Sequence, residues 1–323
     1  MKRKALKHIF TRVVHERYFC NPLTVSLITF FMLEMTTASL FLLPSITFES
    51  ALAQTEVSIQ ENRNNNLGNN TITYSYNIYS NNNTQEASTR LHNSSVIYYD
   101  NTAGYLVYPE LVNNTQQQQE PMPAVIMIHE WLGLNEHIKN QADLLAKEGY
   151  VVLAVDLYRG EVETDSNRAM ELTSSVRNNS ASAIDNLQSA VNYVKSLEMV
   201  DGSRIASLGW CFGGDWSLQL ALNSSENPLA ATIIYYGRPV TDTASLSSIS
   251  WPILGIFGDQ DQVIPVESVK QFASALNASG ITNDIYLYEG VGHAFANPSR
   301  DNYAPKETAD AWQKTIGFLR TYL

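Results

Sequence analysis

The sequence predicts an α/β fold in which a mostly parallel β-sheet carries helices on both faces. From about Ser94 onward, short apolar runs rich in β-branched residues alternate with stretches whose apolar residues recur at helical spacing. Such alternation is typical of parallel strands joined by crossover helices. The chain has 323 residues, of which 44% are hydrophobic and 16% charged, so a domain over residues 91–323 can bury a core of its own.

The elements of this domain can be placed in chain order. Val96–Tyr99 and Tyr105–Tyr108 flank the turn residues Asp100–Gly104 and predict a hairpin at one edge of the sheet. Apolar β-branched runs predict six further strands, at Ala124–Ile128, Val151–Val155, Ile205–Gly209, Thr232–Tyr236, Ile253–Phe257 and Ile285–Tyr288. Helical spacing and stop signals predict helices near 136–148, 181–197, 213–222, 266–278 and 305–322.

The first 53 residues differ from the rest of the chain in charge and hydropathy. The whole chain has a net charge of −11, whereas residues 1–53 carry six basic and three acidic side chains. Between Asn21 and Phe48 the chain is mostly apolar, but Glu34 divides it into uncharged runs too short to cross a bilayer alone. Ala51-Leu52-Ala53 supplies a small-x-small cleavage site. Residues 1–53 are therefore interpreted as a signal peptide or, uncleaved, as an N-terminal membrane anchor, with a buried helix as the remaining alternative.

This interpretation predicts a protein that is exported and is either secreted or tethered to the outer face of the cell membrane. Residues 54–90 contain ten asparagines and few aliphatic side chains, so they cannot bury enough surface to offset their ordering entropy. They are interpreted as an Asn-rich disordered linker. A second polar run, Gln116–Glu120, is interpreted as a surface loop between strands.

Composition and motifs exclude several function classes. An acidic chain lacks the clustered Lys and Arg that nucleic acids require, so no nucleic-acid partner is expected. The chain has neither metal-ligand spacing nor nucleotide-binding glycine patterns, so no metal or other cofactor is expected. Cys20 lies in the N-terminal segment, which leaves Cys211 as the one cysteine of the remaining chain and excludes an internal disulfide there. Cys211 is either an inert buried side chain or a reactive thiol.

Cys211 lies in a segment typical of a nucleophile elbow. In Gly209-Trp210-Cys211-Phe212-Gly213-Gly214, small residues stand two positions before and after the cysteine, between a predicted strand and a predicted helix. Small residues are needed there because the turn is tight. The turn lifts the side chain above the sheet and directs the positive end of the helix dipole toward it. The pattern therefore favours Cys211 as a nucleophile.

An acid and a histidine follow at the ends of later strands. Asp261 comes three residues after the strand-end Gly258, and His293 lies in the glycine-containing loop after the last strand. The order nucleophile, acid, histidine is the chain order of the α/β-hydrolase triad. Asp261 is preferred to Asp259 as the triad acid because its position gives it reach toward the histidine. Asp259 is expected to cap the loop.

These segments make the chain similar to the dienelactone hydrolase family. The resemblance extends from about Tyr98 to the C-terminus. It includes His129-Glu130-Trp131-Leu132-Gly133-Leu134-Asn135, Val155-Asp156-Leu157-Tyr158, the segments around Cys211 and Asp261, and Gly292-His293-Ala294-Phe295. The resemblance implies an α/β-hydrolase fold and hydrolysis of esters or lactones by a Cys-Asp-His triad. Matched by motif, it makes Cys211 the nucleophile, His293 the base and Asp261 its orienting carboxylate.

The resemblance also implies roles for residues after the first buried strand. Glu130 matches a family glutamate that helps to convert the thiol to thiolate when substrate enters, since a carboxylate near a thiol can accept its proton. The alternative is a solvated turn residue. The backbone N–H groups of Trp131 and Phe212 are expected to form the oxyanion hole. His129 and His137 are expected to be structural.

Two departures from the family concern the substrate. Members that act on dienelactone hold its carboxylate with two arginines; one corresponds to Arg168, but the aromatic residue expected four positions later is Leu172. The second position, four residues after the histidine, is Asn297. Arg300 either reaches back to replace the missing charge or is a surface side chain. The hydrolase class is therefore better supported than dienelactone as the substrate.

The sequence thus predicts a carboxylic ester hydrolase that acts on a small-molecule ester or lactone through a cysteine acyl-enzyme. Two alternatives remain open: a general carboxylesterase of different specificity, and a non-catalytic surface binding protein on the same scaffold. An intact triad argues against the second. A monomer is favoured.

Overall fold

The computed structural model describes residues 57–62, 73–78, 89–110 and 120–323, and it divides the chain into two units, Met1–Glu86 and Ala87–Leu323. The predicted signal peptide or anchor at 1–53 and residues 116–119 of the second polar run lie outside the described residues. In the described part of the chain, every helix is too short or too polar to cross a bilayer.

The first unit contains two strands inside the segment that was expected to be a disordered linker. Strand β1 (Val57–Asn62) pairs antiparallel with β2 (Thr73–Ile78), with Val57 opposite Ile78. The structure differs here from the expectation. The alternation of apolar and polar residues in both strands is a period-two strand signal that the asparagine-rich composition obscures.

The second unit is an eight-stranded sheet covered by helices. Its strands are β3 (Leu91–Tyr99), β4 (Thr102–Pro109), β5 (Met122–Ile128), β6 (Val151–Val155), β7 (Val200–Trp210), β8 (Ala231–Tyr235), β9 (Ile253–Gly258) and β10 (Asn283–Tyr288). Its described helices are α1 (Glu136–Lys147), α2 (Ser166–Asn178), α3 (Ser180–Lys195), α4 (Phe212–Leu222), α5 (Thr243–Leu246), α6 (Val266–Ala278) and α7 (Pro305–Tyr322).

The strand order is β10-β9-β8-β7-β5-β6-β4-β3. Strands β5 to β10 run parallel, and β4 and β3 continue the sheet antiparallel at one edge. The fold class predicted from the sequence, including the edge hairpin, is confirmed. Chemistry in such sheets collects at the carboxyl ends of the parallel strands.

The helices cover both faces of the sheet because each central strand is apolar on both sides. In β5, Ile126 and Ile128 belong to the apolar cluster on the face that α3, α4 and α6 cover, and Val125 and Met127 to the cluster on the face that α1 and α7 cover. All four side chains are fully buried. Burial on both faces is the usual state of parallel strands and explains their continuous apolar sequence.

Helices α2 and α5 were not predicted. Helix α2 buries few of its residues, so its apolar spacing is weak; its signal is the N-cap Asp165, whose carboxylate accepts from the amides of Asn167 and Arg168.

The edge turn is shorter than expected: Asp100 and Asn101, at φ 32° and 60°, connect β3 directly to β4. Both φ values are left-handed, as two-residue hairpin turns require.

Candidate active site

Cys211 lies in a tight turn between β7 and α4. Its backbone has φ 55° and ψ −117°, a conformation that side-chain-bearing residues rarely adopt. A Cβ at Gly209 would lie 2.1 Å from the Gly213 carbonyl oxygen, and one at Gly213 would lie 2.2 Å from the Ile128 carbonyl oxygen. The Cys211 amide donates to the Tyr235 carbonyl oxygen over 3.0 Å. Backbone of three neighbouring strands therefore fixes the thiol at the carboxyl end of the sheet.

Three side chains from separate loops form a continuous hydrogen-bonded chain. Asp261 Oδ2 lies 2.8 Å from His293 Nδ1, and His293 Nε2 lies 3.1 Å from Cys211 Sγ. Because an ionised carboxylate only accepts hydrogen bonds, Nδ1 carries a proton and donates to Asp261. The structure thus brings together the cysteine, the acid and the histidine that the sequence analysis selected.

The surroundings of His293 favour an imidazolium. Burial lowers the pKa of His293, but its hydrogen bonds with Asp261 and Cys211 and the charges of these groups outweigh burial and raise that pKa to about 10. Burial raises the pKa of Asp261, whereas hydrogen bonds from His293 and from the Ile264 and Val263 amides hold it below its usual value. The imidazolium places a positive charge and an N–H donor 3.1 Å from the Cys211 sulfur.

The two aspartates of the acid loop make different contacts. The Asp261 side chain is fully buried, and its Oδ1 accepts from the amides of Val263 at 2.7 Å and Ile264 at 2.9 Å. Asp259 Oδ1 instead accepts from the Gly290 amide at 2.7 Å. Asp259 therefore ties the acid loop to the loop that carries His293, and Asp261 is the aspartate that contacts the ring.

Glu130 is buried just after β5 and is not a solvated turn residue. It is 5% exposed, and its Oε2 accepts a hydrogen bond from Asn297 Nδ2. Burial raises the pKa of Glu130 to about 7, although the Asn297 hydrogen bond and the charges of Arg300 and His293 oppose this rise. Within the described residues, no hydrogen bond joins Glu130 to Cys211 or reaches Glu130 Oε1.

Of the residues predicted to bind substrate, Asn297 and Arg300 contact groups of the site. Asn297 is buried, donates to Glu130 and accepts from the Ser299 amide at 2.9 Å. The Arg300 guanidinium lies over the Trp131 ring, 5.3 Å from its centroid. Its charge reaches Glu130, so Arg300 lies beside the site and is not an isolated surface charge.

Arg168 makes different contacts from those expected. Its guanidinium pairs with Glu161 at 2.7 Å and with Glu171 at 3.0 Å, and all three side chains are substantially exposed. These ion pairs compensate the charge of the arginine, and neither partner is a residue of the triad. The structure does not bring Arg168 together with the other predicted substrate-binding residues.

The two amides expected to bind an oxyanion follow β5 and β7, which are neighbours in the sheet. Phe212 is the first residue of α4, where a backbone N–H has no acceptor within the helix. Trp131 lies in the turn after Glu130, and Gly133, with φ 90°, completes that turn. The amide of a helix's first turn is suited to binding a developing negative charge.

His129 is buried and His137 is partly buried. His129 Nε2 accepts from the Leu157 amide at 3.1 Å, so its Nδ1 carries the proton donated to the Glu130 carbonyl oxygen. Burial lowers the pKa of His129, and burial lowers that of His137 to about 4. Among the described residues, no three His, Cys, Asp or Glu side chains are arranged to hold a metal ion.

Tyr236 is a site residue that the sequence analysis did not single out. Its ring lies 5.2 Å from the His293 ring, centroid to centroid, at an interplanar angle of 62°. It directly follows β8, so its signal was the same as that of Glu130: a polar residue at the carboxyl end of a buried strand. The sequence analysis places it only as the last residue of the predicted strand Thr232–Tyr236.

Comparison with known proteins gives a consistent result. The model of the dienelactone hydrolase family matches residues 110–323. A relative from Methylorubrum extorquens, named as a carboxymethylenebutenolidase, is 32% identical over 219 residues, which are 62% of this chain and 73% of the relative. A relative of the same name from Escherichia coli strain K12 is 31% identical over 240 residues, covering 69% and 83% of the two chains.

A solved structure shares the fold. It is a dienelactone hydrolase-like promiscuous phosphotriesterase from metagenomic libraries, with a TM-score of 0.64 and 22% identity. The match covers 72% of this chain and 98% of that chain. At this identity the likeness concerns the architecture alone.

Proposed function

The chain belongs to the dienelactone hydrolase family and is a carboxylic ester hydrolase that acts on small-molecule esters or lactones, and we propose that Cys211 is its nucleophile. The observation that carries this proposal is the unbroken chain from Asp261 through His293 to Cys211, with contacts of 2.8 and 3.1 Å. Each end of the chain has the character its role requires: the acid is buried and ionised, and the thiol lies at a strained turn.

Acylation begins when the Cys211 thiolate attacks the carbonyl carbon of the ester or lactone. The new S–C bond places a negative charge on the carbonyl oxygen, which the N–H groups of Phe212 and Trp131 stabilise. When the tetrahedral intermediate collapses, the C–O bond breaks and the leaving oxygen takes the Nε2 proton of His293. An acyl-thioester and an alcohol, or the free hydroxyl end of an opened lactone, result.

Deacylation uses the same groups with water as the nucleophile. Neutral His293 removes a proton from water, the hydroxide attacks the thioester, and the Cys211 thiolate leaves beside the imidazolium. Asp261 keeps the proton on Nδ1 throughout, so that Nε2 faces the reacting atoms. The product is a carboxylic acid, and the thiolate–imidazolium pair is restored.

Glu130 supplies a second proton acceptor when substrate enters. In the enzyme without substrate Cys211 is a thiol beside the imidazolium; when substrate enters, its S–H bond breaks, an O–H bond forms on the Glu130 carboxylate, and the electron pair stays on sulfur. After the product leaves, Glu130 returns this proton to the thiolate. Two observations support this role: Glu130 is buried beside the site, and its pKa of about 7 suits a group that exchanges a proton at neutral pH. Because His293 and not Glu130 contacts the thiol, Glu130 has to move in order to receive the proton.

Substrate charge is recognised through Arg300. Its position over the Trp131 ring places a cation beside the residue whose amide binds the oxyanion, and Asn297 offers an amide on the same loop. Within the described residues Arg300 forms no salt bridge that a substrate carboxylate would displace, whereas Arg168 is already paired with two glutamates. We therefore assign carboxylate binding to Arg300, with Asn297 as a polar neighbour.

A general carboxylesterase is the second candidate function, and the ion pairs of Arg168 favour it. Arg168 is paired to Glu161 and Glu171, and Asn297 stands at the position of the second family arginine, so neither family contact is present and Arg300 can replace only one of the two. Loss of one charge-assisted contact weakens carboxylate recognition by about 1.5–3 kcal/mol. Equal kcat/KM values for an uncharged aryl ester and its carboxylate-bearing analogue would favour this candidate.

We further propose that the protein is exported and acts as a monomer, secreted or tethered outside the cell through residues 1–53. The basic head, the apolar run and the small-x-small site of the sequence support export. Fractionation of cells that express the full chain should place the esterase activity outside the cytoplasm. Activity confined to the cytoplasm would contradict export.

The nucleophile is tested by replacing Cys211 with Ala in the full-length chain. We expect turnover of a small aryl ester to fall by at least about 1,000-fold, because the triad acts as a unit, while circular dichroism and the melting temperature show a folded protein. Cys211→Ser is the companion variant, since it keeps a weak nucleophile in the same turn. Turnover unchanged in Cys211→Ala would refute the proposal and leave a binding role for the scaffold.

A further inference from the structure

Tyr236 is a buried tyrosine beside the triad to which the proposed mechanism gives no task. It follows β8, which lies between β7, leading to Cys211, and β9, leading to the Asp261 loop. Its ring packs edge-on against His293 at 5.2 Å and against Phe295 at 5.7 Å. Its φ of 37° is left-handed, a strained value for a bulky residue and one that tends to persist at functional sites.

The Tyr236 hydroxyl is buried without a hydrogen-bond partner among the described residues. The residue is 1% exposed, and the nearby Ala296 backbone makes no hydrogen bond of normal geometry with the hydroxyl. The preceding residue offers a contrast, because the equally buried Tyr235 hydroxyl is paired with Thr315 Oγ1 at 2.7 Å. Buried hydroxyls are normally paired, so an unpaired one beside reacting groups indicates a partner that arrives in another state of the enzyme.

Charged groups of the active site act on this hydroxyl, and the His293 ring packs against its ring. Glu130, after β5, and Cys211, before α4, both act on it electrostatically, and Tyr235 is its neighbour on its own strand. From the loop after β10, the His293 ring packs against the tyrosine ring, and Asn297 and Arg300 act on Glu130. Among these groups, Glu130 holds a free acceptor, because Asn297 occupies Oε2 and leaves Oε1 without a donor.

We propose that Tyr236 is a positioning residue whose hydroxyl donates a hydrogen bond to Glu130 when the carboxylate turns toward Cys211 in the substrate-bound enzyme. The proposal rests on the hydrolase mechanism in which Glu130 accepts the thiol proton. Tyr236 keeps its own proton and touches neither substrate nor sulfur. The donor stabilises the ionised form of Glu130, so that the carboxylate can still accept a proton at mildly acidic pH.

The test is the pH dependence of aryl ester hydrolysis by full-length Tyr236→Phe, which removes the hydroxyl and keeps the ring. The acid limb of kcat reports the enzyme–substrate complex, and that of kcat/KM reports the free enzyme. We expect the kcat limb to move to higher pH by about one unit, equivalent to about a tenfold loss at its acid end. The kcat/KM limb should stay in place, because Tyr236 is unpaired in the free enzyme.

Tyr235→Phe is the matched control, since it removes a buried hydroxyl from the adjacent residue whose partner lies away from the site. It should leave both limbs in place. In a Glu130→Gln background, Tyr236→Phe should have no further effect on the kcat limb, which also distinguishes positioning from loss of stability. Superimposable kcat profiles for wild type and Tyr236→Phe, or equal shifts in both tyrosine variants, would overturn the proposal.

The same series of variants includes Cys211→Ala, so that failure of the proposed function can be distinguished from failure of the role proposed for Tyr236. If wild-type turnover does not depend on Cys211, the proposed function fails, and the role of Tyr236 fails with it. If turnover depends on Cys211 but the kcat limb of Tyr236→Phe does not move, the inference about Tyr236 alone is wrong.

Discussion

Two buried carboxylates near the Cys211 thiol have opposite electrostatic surroundings. Asp261 accepts hydrogen bonds from two backbone amides and from His293, and these hold its pKa below the usual value in spite of burial. Glu130 is as buried as Asp261 but accepts one hydrogen bond, from the neutral amide of Asn297, and its pKa rises to about 7.

The difference shows that burial, hydrogen-bond donors and the charge of His293 together decide which carboxylate is ionised. A permanently charged Asp261 can orient and stabilise an imidazolium, whereas a carboxyl that titrates near neutral pH can take up and release a proton. Groups with different pKa values in one site are a general sign of different roles in catalysis. Replacing Asp261 should therefore change the rate of hydrolysis, whereas replacing Glu130 should change how stability depends on pH.

Of the variants considered, Asp261→Asn should cause the largest loss of activity, because it removes the charge of the ionised carboxylate. We expect kcat for an aryl ester to fall by about 1,000- to 10,000-fold, since the amide can no longer hold Nδ1 as the proton donor. Asp259→Asn in the same loop is the control and should lose less than about tenfold. Comparable losses in both variants would show that loop structure, and not the charge of Asp261, is responsible.

Glu130→Gln tests the other carboxylate, and the quantity to measure is the free energy of unfolding as a function of pH. The folded pKa of Glu130 lies above its unfolded value, so the stability it contributes is present below about pH 4.5 and is lost as pH rises through about 7. The loss amounts to about 3 kcal/mol. Glutamine does not titrate. The free energy of unfolding of the variant, measured with denaturant and compared with that of wild type, should therefore rise by about 3 kcal/mol between pH 4.5 and pH 8. A difference independent of pH would contradict the raised pKa.

Arg300→Gln should have the smallest effect and should act on binding. We expect KM for a carboxylate-bearing aryl ester to rise about tenfold, the cost of one charge-assisted contact, with kcat changed less than about twofold. KM for the uncharged analogue should not change. Arg168→Gln is the matched control and should leave both substrates unaffected; a larger effect there would reverse the assignment of the two arginines.

Local rules explain why much of this site can be predicted from the sequence. At the elbow, a Cβ at Gly209 would meet the Gly213 backbone and one at Gly213 would meet the Ile128 backbone, so glycine has little alternative at either position. The strand ends follow from apolar runs, and parallel strands bring their carboxyl ends to one edge of the sheet. The fold class and the meeting of Cys211, Asp261 and His293 were predictable on these grounds.

What the sequence did not reveal depends on contacts between distant residues. The hydrogen bond from Asn297 to Glu130 spans 167 positions, and it determines that Glu130 is buried with a single donor. The ion pairs that engage Arg168 involve a loop residue, Glu161, whose direction a helix pattern cannot give. Tyr236 was hidden for the opposite reason, since an aromatic residue at a strand end is compatible with the core.

The central claim is that hydrolysis proceeds through an acyl group on Cys211. The most direct measurement is acid-quenched mass spectrometry of the full-length enzyme after rapid mixing with an activated aryl ester, followed by peptide mapping. We expect the mass of one acyl group on the peptide that contains Cys211 in wild type and its absence from Cys211→Ala. Turnover in wild type with the acyl group on another residue would contradict it.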